Sequence, residues 1–415
     1  MPGSRDAGED QRCIAVGFLQ TAAAWERGNS GLEELRETYA RWPFFRALLS
    51  NIGMVSVKTR SGQRHACFFA SRVSARTLNR SDRFLKILAL AGLLHLGGCA
   101  APVEYPNDTM APAANGAPAF TTDDGVRLPM RTFSAGRHPK AVLVALHGFN
   151  DYSRSFEAPA RYFAEAGIET VAYDQRGFGG APDRGKWAGT EAMVDDFLAV
   201  LRLVRRDHPG LPLFALGESM GGAVIAVALA QETGIKIDGV ILATPAVWSR
   251  DAMPWYQRFG IWIGNLLTPA MVLSSNEFGI VSSDNTEMLI ESSKDPLVMK
   301  ETRLDTLSGL SDLMDQAILS VPKIRLRTLV LYGLRDVMIP RRPMLALLEH
   351  WPQDAPQHFR FGLYPDGYHM LLRDLQRIVV WKDIVSWMLN PDATFPSGFE
   401  RERQEALRQL RTPGG

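Results

Sequence analysis

Five residues, Gly217-Glu218-Ser219-Met220-Gly221, carry the clearest chemistry in this sequence. They fit G-x-S-x-G, the pattern in which a serine stands on a sharp strand-to-helix turn. Backbone angles at such a turn are strained, so the neighbours two residues away must lack side chains that would collide. The helix that follows turns free N–H groups toward a developing oxyanion. Alone the pentapeptide is a weak signal, and a glycine-rich turn with an idle serine is its bland reading. Flanked by the apolar run Leu213–Leu216 and the helix-forming stretch AVIAVALA, it becomes a strong one.

A serine nucleophile needs a base, and the base needs an orienting acid. On a strand-turn-helix scaffold of this kind the chain order is serine, acid, histidine, each partner on a loop after a later strand. Asp336 follows the apolar run Thr328–Tyr332, and His369 follows Phe361–Tyr364. Of the other late histidines, His350 ends a helix before Trp351-Pro352 and His358 precedes a strand. Asp366 is the rival acid, but its closeness to His369 suits a turn residue. Oxyanion donors are expected from the backbone N–H groups of Met220 and of Phe149, which follows a strand end at His147-Gly148. His147 itself is expected to pack rather than react. No metal and no cofactor enter this scheme.

Several elements must position those residues. Strands are expected at Arg127–Phe133, Ala141–Leu146, Glu169–Tyr173, Leu213–Leu216, Val240–Ala243, Thr328–Tyr332 and Arg360–Tyr364. Helices are expected at Ser155–Ala166, Glu191–Asp207, Met220–Glu232, Arg342–His350 and Leu375–Met388. The strand runs are continuously apolar, as in parallel sheets buried on both faces. Alternation with amphipathic helices predicts an α/β architecture, a mostly parallel sheet with helices on both sides. The rhythm breaks between Pro245 and about Pro322, a long non-β interval read as a helical cap over the carboxyl ends of the strands. The expected organisation is a core from 120 to 248, a cap from 249 to 322, a second core segment from 323 to 390 and a tail from 391 to 415.

Across residues 120–390 the chain resembles the monoacylglycerol lipase and lysophospholipase group of α/β-hydrolases, sometimes grouped with serine aminopeptidases. The matching pieces are HGFNDYS (147–153), YDQRGFGGAP (173–182), LGESMGGA (216–223), TEMLIESSKDPLV (286–298), LYGLRDVMIP (331–340) and YPDGYHMLL (364–372). The resemblance implies the α/β-hydrolase fold, Ser219, Asp336 and His369 as triad, and Phe149 and Met220 as oxyanion donors. It departs from the group at Glu218, where mammalian members carry His, and at RGFGGAP, where many have G-H-G-x-S. Neither change touches the triad, and both leave acyl-chain and head-group preference open.

Trp255–Leu273 is strongly apolar, with Arg258 its only charge. Most of these residues are expected to pack on their own domain. The surplus would line an acyl channel or touch a bilayer. The leading expectation is therefore a serine carboxylic-ester hydrolase acting on small lipid esters such as monoacylglycerol or lysophospholipid. An amidase or aminopeptidase on the same triad is the first rival, and it needs an acidic cluster for the substrate amine. A non-catalytic surface lipoprotein is the second.

Lys and Arg number 46 against 45 Asp and Glu, and the net charge of +1 argues against a nucleic-acid partner. Three cysteines are a poor disulfide framework. One of them, Cys99, ends the sequence Leu96-Gly97-Gly98-Cys99 after the apolar run Ile87–Leu96 and the basic residues Arg80, Arg83 and Lys86. That layout is a secretory signal peptide over 80–99, too short for the roughly 20 apolar residues of a spanning helix. L-G-G-C resembles the bacterial lipobox, which implies acylation of Cys99 and a lipid-anchored protein of the cell envelope. Ala100 stands where enteric inner-membrane lipoproteins carry Asp, which points to the outer membrane. The Pro/Ala-rich stretch 100–119 reads as a tether. Upstream, Leu19 to Lys58, with WPFFR as its most specific part, resembles a fragment of phosphoenolpyruvate carboxylase without that enzyme's Arg, His and metal-ligand clusters. Residues 1–79 are read as an upstream relict or a start placed too early, and no function is assigned to them.

Overall fold

The computed structural model describes residues 118–412 apart from 232, 275–280, 352–358 and 391, together with two short strands nearer the N-terminus. Those strands, β1 (Ser56–Lys58) and β2 (Arg64–Ala66), form an antiparallel pair in a separate N-terminal unit. The stretch resembling phosphoenolpyruvate carboxylase meets the described residues only at β1. The signal-peptide stretch, Cys99 and the tether up to residue 117 lie outside the described residues.

The larger unit is built on a nine-stranded sheet. Its strands are β3 (Ala119–Thr121), β4 (Arg127–Phe133), β5 (Ala141–Leu146), β6 (Ile168–Tyr173), β7 (Leu213–Glu218), β8 (Gly239–Ala243), β11 (Thr328–Gly333), β12 (Phe359–Tyr364) and β13 (Glu400–Arg401). They lie in the order β13-β12-β11-β8-β7-β5-β6-β4-β3. From β12 to β6 all neighbours are parallel, and the edges β13, β4 and β3 are antiparallel. Strand side chains alternate between two cores. In β5, Val142, Val144 and Leu146 enter one core while Ala141, Leu143 and Ala145 enter the other. This double burial is why the central strands read as unbroken apolar runs rather than alternating ones.

The helices are α1 (Glu157–Glu165), α2 (Thr190–Asp207), α3 (Met220–Ala228), α4 (Trp255–Leu267), α5 (Thr286–Lys294), α6 (Leu304–Ser320), α7 (Arg341–His350), α8 (Arg377–Leu389) and α9 (Arg403–Arg411). Helices α1 and α8 cover one face, where Tyr162 packs on Trp381 with ring centroids 5.5 Å apart. The opposite core takes buried residues from α2, α3, α6, α7 and α9.

Four local expectations change. Helix α3 ends at Ala228 rather than Glu232, as the chain turns toward Gly234 in the left-handed region (φ 65). The last tether residue, Ala119, already belongs to β3. The segment expected to be a tail supplies β13 against β12, and α9 buries Ala406, Leu407 and Leu410. That apolar stripe, spaced for a helix, is the physical reason the segment packs. The cap interval is also not purely helical, since β9 (Val272–Ser274) pairs antiparallel with β10 (Glu301–Arg303).

The cap helix α4 departs further from expectation. Only Gly260 is buried in it, while Trp255 (73%), Phe259 (54%), Trp262 (59%) and Leu266 (61%) are exposed. Gly260, Gly264 and the partly buried Ile261 take the inward face instead. A Cβ added to Gly264 would stand 2.9 Å from Leu304 Cδ1, so α4 lies close on α6 through glycine and turns its aromatic side out.

Candidate active site

One residue, Ser219, joins β7 to α3. Its backbone sits at φ 51 and ψ −113, a region L-residues avoid unless the surroundings hold them there. The Ser219 N–H donates to Ala243 O at 3.0 Å, and its carbonyl accepts from Ala246 N–H at 2.9 Å. A Cβ on Gly217 would lie 2.4 Å from Gly222 N, and one on Gly221 would lie 2.3 Å from Leu146 O. The glycine spacing is thus a steric requirement of folding α3 back against β5 and β7.

Asp336 lies on the loop after β11 and His369 on the loop after β12, and the two loops interlock. Arg335 N–H donates to Gly367 O and Leu334 N–H to Tyr364 O, both at 2.9 Å. A Cβ on Gly333 would stand 2.3 Å from Gly367 O, so the loops touch backbone to backbone. The Thr244 hydroxyl donates to His369 O at 2.9 Å and pins the histidine from the β8 side. His369 Nδ1 is then 2.8 Å from Asp336 Oδ2, and His369 Nε2 is 3.0 Å from Ser219 Oγ. Asp336 Oδ1 accepts from the N–H groups of Met338 and Ile339 at 2.8 and 2.9 Å. Such an acceptor facing the ring favours a proton on Nδ1 and leaves Nε2 free to accept from serine. Burial pulls the His369 imidazole down, and the Asp336 carboxylate more than offsets it, so the ring sits above the usual histidine value. The rival acid Asp366 is exposed and pairs with Arg335 instead.

The loop after β5 passes beside the serine, since a Cβ built on Gly148 would be 3.4 Å from Ser219 Cβ. Among the described residues, no protein acceptor meets the N–H of Phe149 or of Met220. The Phe149 ring packs edge-on against Phe178 with centroids 5.4 Å apart. His147 clamps this loop from within. Its Nε2 accepts from Gln175 N–H at 2.9 Å, leaving the proton on Nδ1, which faces Gly148 O at 2.8 Å. Burial lowers its proton affinity, so it stays neutral and structural.

Two features were not foreseen from the residues. Arg373 Nη2 lies 2.6 Å from Asp151 Oδ2 and 3.4 Å from Glu218 Oε2, so one guanidinium bridges two buried carboxylates beside Ser219. Glu218 Oε1 has no partner among the described residues, and burial pushes that carboxyl above its ordinary range. Asp374, fully buried, accepts the Tyr368 N–H at 2.7 Å and the Ser283 hydroxyl at 2.6 Å. Burial raises it to about 6. No spacing signal marks these groups, because Asp151, Glu218 and Ser283 reach the loop of Arg373 and Asp374 from distant parts of the chain. Among the described residues, no group of His, Cys, Asp and Glu is arranged to hold a metal ion.

Comparison with known proteins bears on the family and the fold. The chain is 27% identical over 280 residues to a monoacylglycerol lipase of Mycolicibacterium smegmatis, a match covering 66% of this chain and 96% of the relative. It is 27% identical over 289 residues to the human monoglyceride lipase, covering 67% and 91% respectively. The crystal structure of a Paleococcus ferrophilus monoacylglycerol lipase superposes with a TM-score of 0.53 at 21% identity, over 63% of this chain and 98% of that one, which places the fold. The family model described as serine aminopeptidase, S33 matches residues 137–376, from just before β5 to just past His369. That match spans more than half of the 415 residues: the chain is an enzyme of the serine aminopeptidase S33 family of α/β-hydrolases.

Proposed function

We propose that this enzyme hydrolyses carboxylic esters of lipids, such as monoacylglycerol or lysophospholipid, through an acyl-enzyme on Ser219. The observation that carries the reading is the unbroken chain from Ser219 Oγ through His369 to Asp336, at 3.0 and 2.8 Å, mounted on a strained turn. In this scheme His369 Nε2 takes the serine proton as Oγ bonds to the ester carbon. The oxyanion is met by the N–H groups of Phe149 and Met220. Collapse breaks the bond to the alcohol, which leaves with the proton from His369. Water then gives a proton to the same nitrogen as it attacks the acyl carbon, and His369 returns that proton to Ser219 Oγ as the bond to it breaks, which releases the fatty acid and the free hydroxyl.

Two further observations favour a lipid ester over a peptide amine. Among the described residues, the carboxylates beside the serine, Asp151 and Glu218, share Arg373, whose guanidinium occupies the place between them that a substrate ammonium group would need. The aromatic face of α4 is turned outward, as suits contact with a lipid surface. The named relatives act on monoacylglycerols by their descriptions, which agrees with this substrate class. We also infer a lipid anchor on Cys99 that holds the enzyme at a bacterial envelope membrane, the outer one on the evidence of Ala100. Among the described residues no helix is long and apolar enough to cross a membrane.

The test is labelling with a fluorophosphonate probe, followed by kcat/KM for a series of esters from acetyl to decanoyl. Specificity should climb with chain length, by at most about fourfold per buried methylene, the equivalent of about 0.8 kcal/mol. A flat or descending series would remove the lipid part of the reading and leave a small-ester hydrolase.

A further inference from the structure

Asp374 stands outside the chain that links Ser219, His369 and Asp336, and no step of the proposed hydrolysis uses it. Both its oxygens are nevertheless committed. Oδ2 accepts the N–H of Tyr368, the residue before His369, at 2.7 Å. Oδ1 accepts the hydroxyl of Ser283 at 2.6 Å, and Ser283 lies in the cap, just ahead of α5. A single buried carboxylate therefore bonds to the histidine loop and to the cap at once.

Three more bonds run between the same two segments. Met370 N–H donates to Ser282 O, the Asn285 side-chain amide donates to Arg373 O, and Leu375 N–H donates to Asp284 Oδ1, each at 2.9 Å. Each residue from Ser282 to Asn285 thus contributes to a seam along the stretch that holds His369. Asn285 also caps α5 by accepting from Met288 N–H at 3.2 Å, so the seam is continuous with a cap helix. Ser283 and Asp374 are the buried members, 2% and 0% exposed, where lost bonds are not replaced by water.

Resting on the hydrolase reading above, we propose that Asp374 is a positioning residue that couples the cap to the catalytic base. Through Ser283 on one side and Tyr368 on the other, it makes the seating of the cap segment Ser282–Asn285 a condition for the placement of His369 against Ser219. A misplacement of His369 by a fraction of an ångström acts on the proton transfer and not on ester binding, so the signature lies in kcat and in serine reactivity.

The experiment is a double-mutant cycle between Ser283→Ala and Asp374→Ala, read as the second-order rate of fluorophosphonate labelling and as kcat and KM for a soluble short-chain ester. Each single change should slow labelling and kcat about tenfold with KM nearly unchanged. The double variant should be no slower than the slower single, because both changes break one linkage. Asp374→Asn can accept from Tyr368 N–H and donate to Ser283 Oγ, and it should recover to within about threefold of wild type. If Asp374→Ala does not fold, Ser283→Ala carries the test, with ellipticity unchanged and labelling still slowed. Additive losses in the double variant, or a wild-type labelling rate in Ser283→Ala, overturn the coupling alone. A wild-type enzyme that takes no label overturns the hydrolase reading and the coupling with it.

Discussion

His369 Nδ1 lies 2.8 Å from Asp336 Oδ2 across 33 residues of chain, and this contact sets how the site responds to acid. Only the neutral imidazole can accept the serine proton, and its proton affinity lies above the ordinary value of 6.5. Activity should therefore fall as pH drops through an apparent pKa higher than 6.5. Asp336→Asn should lower that pKa and cut kcat by about 10⁴. The measurement is kcat/KM against pH with a soluble ester. An acid limb centred below the ordinary histidine value would contradict the offset by Asp336.

Ser219→Ala should abolish probe labelling and reduce ester turnover by about 10⁴–10⁶ while the fold survives. His369→Ala should fall almost as far, since the two residues act as a unit. Far-ultraviolet ellipticity and turnover, measured together, separate lost chemistry from lost fold. Near-wild-type turnover in Ser219→Ala would move the nucleophile elsewhere.

Gly221→Ala tests the steric account of the turn. The new Cβ would press within 2.3 Å of Leu146 O, a backbone atom of β5 that cannot swing aside. We expect a loss of roughly 1–3 kcal/mol in stability together with loss of labelling. Gly210→Ala, at φ 85 with open space around it, should cost about 1 kcal/mol and leave labelling intact. Equal effects on labelling would argue that the elbow tolerates displacement.

Asp374 should leave a mark on stability as well as on rate. Its folded pKa, about 6, is raised from 3.8, so the folded state binds the proton more tightly than the unfolded one. That contribution is fully present below about pH 3.8 and is lost as pH rises through about 6. Asp374→Asn removes it. The stability difference between variant and wild type should change by on the order of 2–3 kcal/mol between pH 4 and pH 6.5, read by urea unfolding. A difference independent of pH would show that the buried carboxyl titrates normally.

Expression from Met54 in a Gram-negative host should give a mature protein beginning at Cys99, membrane-attached through lipid on that cysteine. Multiple acyl chains suffice for stable attachment, whereas one alone anchors only marginally. Intact mass and fractionation read the outcome, and Cys99→Ser should release the protein or stall its processing. A soluble product that keeps the residues ahead of Cys99 would refute the anchor.

The strand and helix positions around the serine were legible because two strong local signals coincide there. Continuous apolar runs mark strands with two covered faces, and glycines two residues either side of Ser219 mark a turn with no room for a Cβ. The C-terminal strand and helix were harder to see, because β13 has two residues and α9 shows only a short apolar stripe among charges. In the cap, composition suggested a packed helix, whereas α4 packs by its glycines and leaves its aromatics outside. Local sequence states how apolar a helix is but not which face meets a neighbour.

By itself the sequence determined the order serine, acid, histidine, the strand ends that carry them and the glycines that let the turn close. These are short-range properties, set by periodicity, turn sterics and the spacing of elements along the chain. Only the tertiary structure decided that Arg373 bridges Asp151 and Glu218, that Thr244 pins His369, and that Asp374 joins Tyr368 to Ser283. Each of these pairings depends on which loops the parallel sheet brings to the same strand ends. Apart from Tyr368 and Asp374, six residues apart on one loop, the parallel crossovers separate these partners widely along the chain, so no short window of residues contains both.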